Sequence, residues 1–205
     1  MFFRLTLKQL PNKAKYKKKN RKLKAKRPPK GTSIEKRPID ISERNSFGHW
    51  EMDCICGPTK STLLMFTERL SRKEIIFKMP NQRAESVVRC LNVLERRFGK
   101  NFRKIFKSIT VDNGSEFLAF NEMERSRYGG KRTTIYYCHP YSAYERGTNE
   151  RLNREVRRLL PKGFDLSKLS DRDVAYIEKW VNEYPRRILD YASSEETFNQ
   201  YLQAI

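Results

Sequence analysis

Three segments with the periodicity of β-strands follow one another before any helical segment, and this succession most limits the folds open to the chain. The segments are His49–Cys56, Thr62–Thr67 and Glu74–Met79. Alternating side chains of a strand point to opposite faces of its sheet. We therefore expect Glu51 and Asp53 on one face of the first strand, with its more apolar residues on the other face.

Helices and strands alternate in the rest of the chain. Apolar residues recur at helical spacing in Ala84–Phe98, and further helices are predicted at Thr148–Leu160 and Asp171–Arg187. Two more strands are predicted at Lys107–Asp112 and Thr133–Cys138. The order predicts an α/β domain with a mixed sheet and helices packed on it. One RNase H-like domain has this order, and other α/β folds also fit it.

Positive charge is concentrated in the first 30 residues. The chain has 44 Lys and Arg against 24 Asp and Glu, a net charge of +20. Residues 1–30 hold 13 of the basic residues and no acid, so residues 31–205 carry only +7. We expect 1–30 to be a disordered tail or linker and 31–205 to be the folded domain. The excess favours a polyanionic partner, with nucleic acid as the first candidate, and composition alone does not separate it from its rivals, ribosomal RNA and an anionic membrane surface.

The sequence contains neither a membrane span nor a secretory signal. No stretch approaches the roughly 18 consecutive apolar residues that a span needs. We therefore predict a soluble, cytoplasmic protein. The cysteines lack Cys-x-x-Cys spacing, so a reducing interior accounts for them without disulfides. A zinc site of Cys54, Cys56, Cys138 and His139 is a weaker alternative, because the spacing matches structural zinc patterns poorly.

Three acidic residues are candidates for a metal site. Asp53 lies in the first strand, Asp112 ends the fourth beside a turn, and Glu150 lies in the first turn of a helix. Carboxylates on separate rigid elements can hold the pair of divalent ions that phosphodiester cleavage uses. Each acid also has a structural explanation: an ion pair for Asp53, a turn for Asp112 and the helix dipole for Glu150. Glu51 and Glu116 are alternative carboxylates.

Polar side chains near the predicted Glu150 helix are candidate DNA contacts. Spacing of three and four residues places Glu150, Asn153, Arg154 and Arg157 on one helical face, opposite its apolar face. Arginine and lysine there can neutralise phosphates. The candidate contacts are Arg146, Asn149, Asn153, Arg154, Arg157 and Lys162.

Three motifs in this order closely resemble the catalytic core of the IS-thirty family of bacterial insertion-sequence transposases. They are Phe47–Asp53, Thr110–Phe117 and His139–Glu150, and the similarity continues through Leu159–Gly163 to Pro185–Arg187. It covers roughly residues 30–205. The resemblance implies an RNase H-like fold, with a mixed five-stranded sheet flanked by helices.

The resemblance also implies an activity. Members of that family use a DDE triad with two Mg²⁺ or Mn²⁺ ions to hydrolyse and then join DNA strands at element ends. Asp53, Asp112 and Glu150 occupy the triad positions. The implied partners are element-end and target DNA, in a synaptic complex with a dimer or higher oligomer. The implied location is the bacterial nucleoid.

The chain departs from the family pattern at several points. Extra residues around Ser126–Arg132 predict a surface loop. Arg151 stands where a polar, Asn-like residue is usual, and Tyr184 and Asp190 replace an Arg and a Gly. A helix-turn-helix region is expected before the core and is missing, which suggests a truncated transposase. The alternatives are a catalytically silent DNA-binding remnant, a ribosomal-type RNA-binding protein and an RNase H-like nuclease without joining activity.

Overall fold

The computed structural model describes residues 31–140, 142, 145 and 147–205, with the backbone but not the side chains of 147–150. The basic segment 1–30 lies outside the described residues, as does Arg146.

One mixed sheet organises the described chain. Its strands are β1 (Thr32–Ser33), β2 (His49–Cys56), β3 (Thr62–Glu68), β4 (Glu74–Met79), β5 (Ser108–Val111) and β6 (Thr134–Tyr137). Their order across the sheet is β1-β6-β5-β2-β3-β4. Strands β2, β3 and β4 pair antiparallel, whereas β5 joins β2 in parallel and is followed by β6 and β1, also parallel. The α/β class and the mixed sheet are confirmed.

The predicted number of five strands is wrong, because the sheet has six. The additional strand is β1, which pairs with β6 through Thr32 and Ser33 alone. Two residues are too few to display an alternating pattern, so sequence periodicity does not reveal such a strand. The boundaries of β2 and β4 are as predicted, and the other three strands differ by one residue at one or both ends.

Seven α-helices flank the sheet in the described residues. They are α1 (Ile39–Glu43), α2 (Ala84–Phe98), α3 (Phe102–Ile105), α4 (Phe120–Glu124), α5 (Gly147–Leu159), α6 (Asp171–Glu183) and α7 (Ser194–Gln203). None of these helices has the length and apolar content needed to cross a membrane.

The sheet separates two apolar clusters. On one face Trp50 and Met52 of β2 pack with residues of α2, α3 and α7. On the other face Ile55 of β2 packs with Leu152 and Val156 of α5 and with residues of α6. The predicted alternation along β2 is therefore confirmed, and it places Glu51 and Asp53 on the α5 side.

Two helices near the end of the chain differ from expectation. The predicted helix Asp171–Arg187 ends at Glu183, because Pro185 forces the preceding Tyr184 into an extended conformation with ψ 123°. Helix α7 was not predicted. A capping box marks its start, in which the Ser193 and Glu196 side chains each accept a backbone N–H of the other residue. That Ser-x-x-Glu pattern is visible in the sequence and could have located the helix.

The predicted surface loop around Ser126–Arg132 has an exposed tip and buried ends. Tyr128 is 72% exposed, whereas Ser126 and Arg132 are buried. Arg132 donates through Nε to the Met123 carbonyl at 2.7 Å and pairs with Glu95 at 3.2 Å. A buried guanidinium needs such partners, so this arginine fastens the loop to α2 and α4.

We expect Arg132→Met to lower the free energy of unfolding by about 2–3 kcal/mol. The methionine keeps apolar volume but leaves the buried Glu95 carboxylate without its cation. The adjacent Lys131→Ala removes only the exposed ion pair with Glu124 and should cost at most about 1 kcal/mol. Urea unfolding of both variants measures the difference. Equal losses would show that the Arg132 pair does not stabilise the loop.

His49 joins the first residues of β2 and β5. Its Nδ1 lies 2.7 Å from the Ser108 hydroxyl. Burial, assisted by the nearby Lys107, lowers the pKa of His49 to about 4. The imidazole is therefore neutral in the folded protein at neutral pH, and protonating it opposes the folded state.

Stability should consequently fall as the pH drops from about 6.5 to about 4. In that range the unfolded chain takes up a proton at His49 and the folded chain does not. After allowance for solvent screening, we expect His49 to account for about 1–2 kcal/mol of this fall. The measurement is urea unfolding between these pH values for the wild type and His49→Gln. Parallel pH curves for the two proteins would exclude this contribution.

Candidate active site

The pairing of β2 with β5 brings Asp53 and Asp112 to one end of the sheet. Glu51 pairs with Thr110 in these parallel strands. Asp53 and Asp112 each lie two residues further on, so they occupy matching positions on one face. Neighbouring strands are about 4.8 Å apart. Both aspartates are partly buried. Two carboxylates side by side at the end of adjacent strands form an arrangement that can hold a metal ion.

Helix α5 contacts β2 along its polar face. Asn153 Nδ2 donates to Asp53 Oδ2 at 2.9 Å, and Arg157 Nη2 donates to the Cys56 carbonyl at 2.9 Å. Because the later helix residue meets the later strand residue, α5 runs beside β2 in the same direction. The other Asp53 oxygen, Oδ1, accepts the backbone N–H of Cys54 at 2.9 Å.

Asp112 is fixed by the turn that follows β5. Its Oδ1 accepts the backbone N–H of Gly114 at 2.8 Å, and Asn113 Nδ2 donates to the Cys138 carbonyl at 2.7 Å. Asp112 therefore does have the turn-forming role that its sequence position predicts. The same turn holds the carboxylate beside Asp53's strand, so the structural and functional explanations are compatible.

The two alternative carboxylates have different surroundings. Glu51 is fully buried and pairs with Arg69 at 2.9 Å, which commits it to an internal ion pair. Glu116 is 5% exposed, and its Oε1 accepts Gln82 Nε2 at 2.6 Å. A Cβ added at Gly114 would lie 2.6 Å from Glu116 Oε2 and 2.9 Å from Asp112 Oδ1. Glu116 therefore borders the Asp112 turn.

The sequence did not indicate the contacts of Glu116 with Gln82 and Cys54. Burial, with Glu116 and Asp53 nearby, raises the pKa of the Cys54 thiol. The Cys54 thiol is therefore protonated at neutral pH in the metal-free protein. Gln82 lies in the loop before α2, where no sequence pattern identifies it as a site residue.

The structure describes the side chains of some of the remaining predicted site residues and not of others. Glu150 is the fourth residue of α5, one turn before Asn153, and its side chain and that of Asn149 lie outside the described part. Arg154 is exposed on α5, and Lys162 is exposed just after it. Across the described residues no group of three His, Cys, Asp or Glu forms a metal site. This includes the zinc alternative, whose four residues do not form such a group.

His139 ties its loop to the segment after β1. Its Nδ1 lies 2.7 Å from Glu145 and its Nε2 lies 3.0 Å from Glu35. Hydrogen bonds to these two carboxylates raise the pKa of His139. These contacts are those of a residue that positions a loop.

We expect Gly114→Ala to disturb the Asp112 turn without straining the backbone, because Gly114 has an ordinary φ of −63°. The new methyl group would overlap the Glu116 and Asp112 carboxylates, at a cost of about 1–3 kcal/mol. Thermal or urea unfolding measures this loss. Glu116→Ala removes one of the two clashing groups, so the double variant should lose less than the sum of the single variants. Strict additivity would contradict the contact.

Comparison with known proteins finds an integrase core domain and several similar transposases. Residues 43–142 match the integrase core domain. The chain is 34% identical over 196 residues to a probable transposase for insertion-like sequence element IS1161 of Streptococcus salivarius, covering 92% of this chain and 52% of that protein. It is 31% identical over 166 residues to the transposase InsI for insertion sequence element IS30C of Escherichia coli strain K12, covering 81% and 42%. The chain thus spans about half the length of these curated relatives, or less.

A solved structure supports the same conclusion for the fold. The catalytic core domain of BIV integrase matches with a TM-score of 0.57 at 19% identity, covering 78% of this chain and 98% of that one. The RNase H-like fold expected from the sequence is confirmed by this match. Residues 43–142 therefore correspond to an integrase core domain, and the chain is similar to transposases of insertion sequences.

Proposed function

We propose that this chain is the catalytic part of a DNA transposase. In the first reaction water attacks phosphorus and displaces a 3′ oxygen, which leaves as a free 3′-hydroxyl. In the second, that hydroxyl attacks phosphorus in a target strand and displaces another 3′ oxygen. Asp53, Asp112 and Glu150 are the proposed catalytic triad. The names of the curated relatives support this reaction class.

The observation that carries the proposal is the hydrogen bond between α5 and β2. Asn153 donates to Asp53, and Glu150 precedes Asn153 by three residues in the same helix. Positions three apart share a helical face, so α5 presents position 150 on the side that meets β2. Together with the parallel register of Asp53 and Asp112, this supports convergence of three acids from three separate elements.

The donor set suits two Mg²⁺ or Mn²⁺ ions. These hard cations prefer carboxylate oxygens, which Asp53, Asp112 and Glu150 all offer. When bound, such ions favour deprotonation of the attacking water and stabilise charge on the phosphoryl and leaving oxygens. The soft thiols of Cys54 and Cys56 are poorer ligands for these hard ions than the carboxylate oxygens are.

The protein's own groups orient the two aspartates before any ion binds. The Asn153 amide holds one oxygen of Asp53, and the Cys54 N–H holds the other. The Gly114 N–H holds Asp112, and Asn113 fastens that turn to Cys138. Fixed carboxylates lower the cost of assembling a site from three chain segments, because less side-chain freedom is lost on binding.

The proposed DNA contacts lie on α5 or close to it in the sequence. Arg154, Arg157 and Lys162 lie on or just after α5, and Arg146 and Asn149 come before or at its start. We assign phosphate binding to these residues and to the basic tail 1–30, with residues 31–205 as the catalytic domain. Element-end and target DNA are the proposed substrates, and synapsis would use more than one copy of the chain.

Asp53→Asn, Asp112→Asn and Glu150→Gln should each lower strand cleavage and joining by at least about a hundredfold. The assay uses labelled DNA with and without IS30-type ends, in Mg²⁺ and in Mn²⁺. Glu85→Gln, which removes an exposed carboxylate on α2, serves as the matched control and should retain full activity. Mn²⁺ binding measured by electron paramagnetic resonance should weaken in the same three variants.

The assay also separates the alternatives. Undiminished activity in Asp112→Asn would refute the triad. Cleavage without strand-transfer product would indicate a nuclease, and DNA binding without cleavage in either metal would indicate a catalytically silent remnant.

A further inference from the structure

An arginine-rich cavity of about 470 Å³ lies beside the first half of α5. Its walls come from α5, from the turns after α1 and β3, and from the segment after α6. The cavity falls within the size range of small-ligand sites. Five arginines and a single carboxylate line it: Arg44, Arg72, Arg151, Arg186, Arg187 and Glu155.

The lining of this cavity is positively charged, although carboxylates outside it also attract two of its arginines: Glu51 and Glu68 attract Arg72, and Glu74 attracts Arg186. Glu155 accepts a hydrogen bond from Arg158 at 2.8 Å, which draws part of its charge away. Burial, followed by the neighbouring charge of Arg44, lowers the pKa of Arg72. Arg44 Nε is buried and has no hydrogen-bond partner within the described chain. Like charges held together in this way favour an anionic ligand.

Unusual backbone conformations surround the same cavity. In the described chain four non-glycine residues have positive φ, and three of them line the cavity: Arg44 at 60°, Arg72 at 63° and Tyr191 at 67°. L-residues with side chains rarely adopt this region, and such residues cluster at binding sites. Three turns from separate parts of the chain thus direct side chains towards one space.

The cavity also offers apolar and aromatic surface. Tyr191 is 71% exposed, Ile188 58% and Tyr184 45%. A ligand that contacted only the arginines would leave these side chains in water. A ligand with both negative charge and a flat ring would use both kinds of surface, and a nucleotide has this composition.

We infer that this cavity binds one unpaired nucleotide of a DNA strand, with its phosphates on the arginines and its base against Tyr191. The inference rests on the proposed function, which supplies DNA as the ligand. A base within a duplex is stacked on its neighbours and cannot enter a cavity, so the nucleotide must be unpaired. Arg151 directly follows Glu150 in α5, so the bound strand would lie next to the proposed catalytic acids.

The test is fluorescence anisotropy with the full chain, without divalent ions and at about 0.2 M salt, which limits non-specific binding. The probes are a blunt duplex and the same duplex with a short single-stranded flap. The wild type should bind the flapped probe about tenfold more tightly. Arg151→Ala/Arg187→Ala should abolish this preference. The matched control, Arg96→Ala/Lys100→Ala, removes the same charge from exposed positions in and after α2. This control should retain the preference for the flapped probe.

Tyr191 tests the aromatic contact separately. Tyr191→Phe retains the ring and should keep the preference, whereas Tyr191→Ala should lose most of it. The inference is overturned if the wild type has no preference for the flap. It is also overturned if both arginine double variants behave alike, or if Tyr191→Ala matches Tyr191→Phe. Because no metal is present, these results do not depend on strand cleavage, so loss of the triad assignment would leave them readable.

Discussion

The parallel register between β2 and β5 is the constraint on which the proposed site depends. Trp50 secures it, because its ring stacks on Phe106 at 4.5 Å and its Nε1 donates to the Ile105 carbonyl at 2.7 Å, just before β5 begins. A slip of one residue would move Asp53 to the opposite face of the sheet. The large apolar cluster on the α2 side therefore determines which carboxylates meet on the α5 side.

The local sequence pattern predicts the boundaries of an element correctly where that element is long and has one buried face. Strand β2 and helix α2 have the predicted boundaries, because alternation and helical spacing over eight and fifteen residues leave little ambiguity. Strand β1 has two residues and no pattern to read. Asp53 and Asp112 could be singled out from their strand and turn positions, but their proximity follows from strand pairing, which no local window contains.

The residues that sequence reasoning missed are those whose roles come from tertiary contacts. Arg132 is a charged residue in a predicted surface loop. It is nevertheless buried against Glu95, which is 37 positions away in the sequence. Glu116 is one of several acids in the sequence, and only the folded chain brings its carboxylate beside Gly114 in the Asp112 turn. At Asp190 the resemblance led to an expectation of glycine. The observed φ of 50° explains that preference, because glycine adopts this region without strain.

Helix α5 has three faces with different roles. Leu152 and Val156 pack into the second apolar cluster, and this packing sets the distance between helix and sheet. Asn153 can reach Asp53 only at that distance. Arg151 then projects from the remaining side, where it lines the arginine-rich cavity. The rotation of one helix, fixed by its apolar residues, therefore sets both the position of the proposed third carboxylate and the location of the site for the DNA strand.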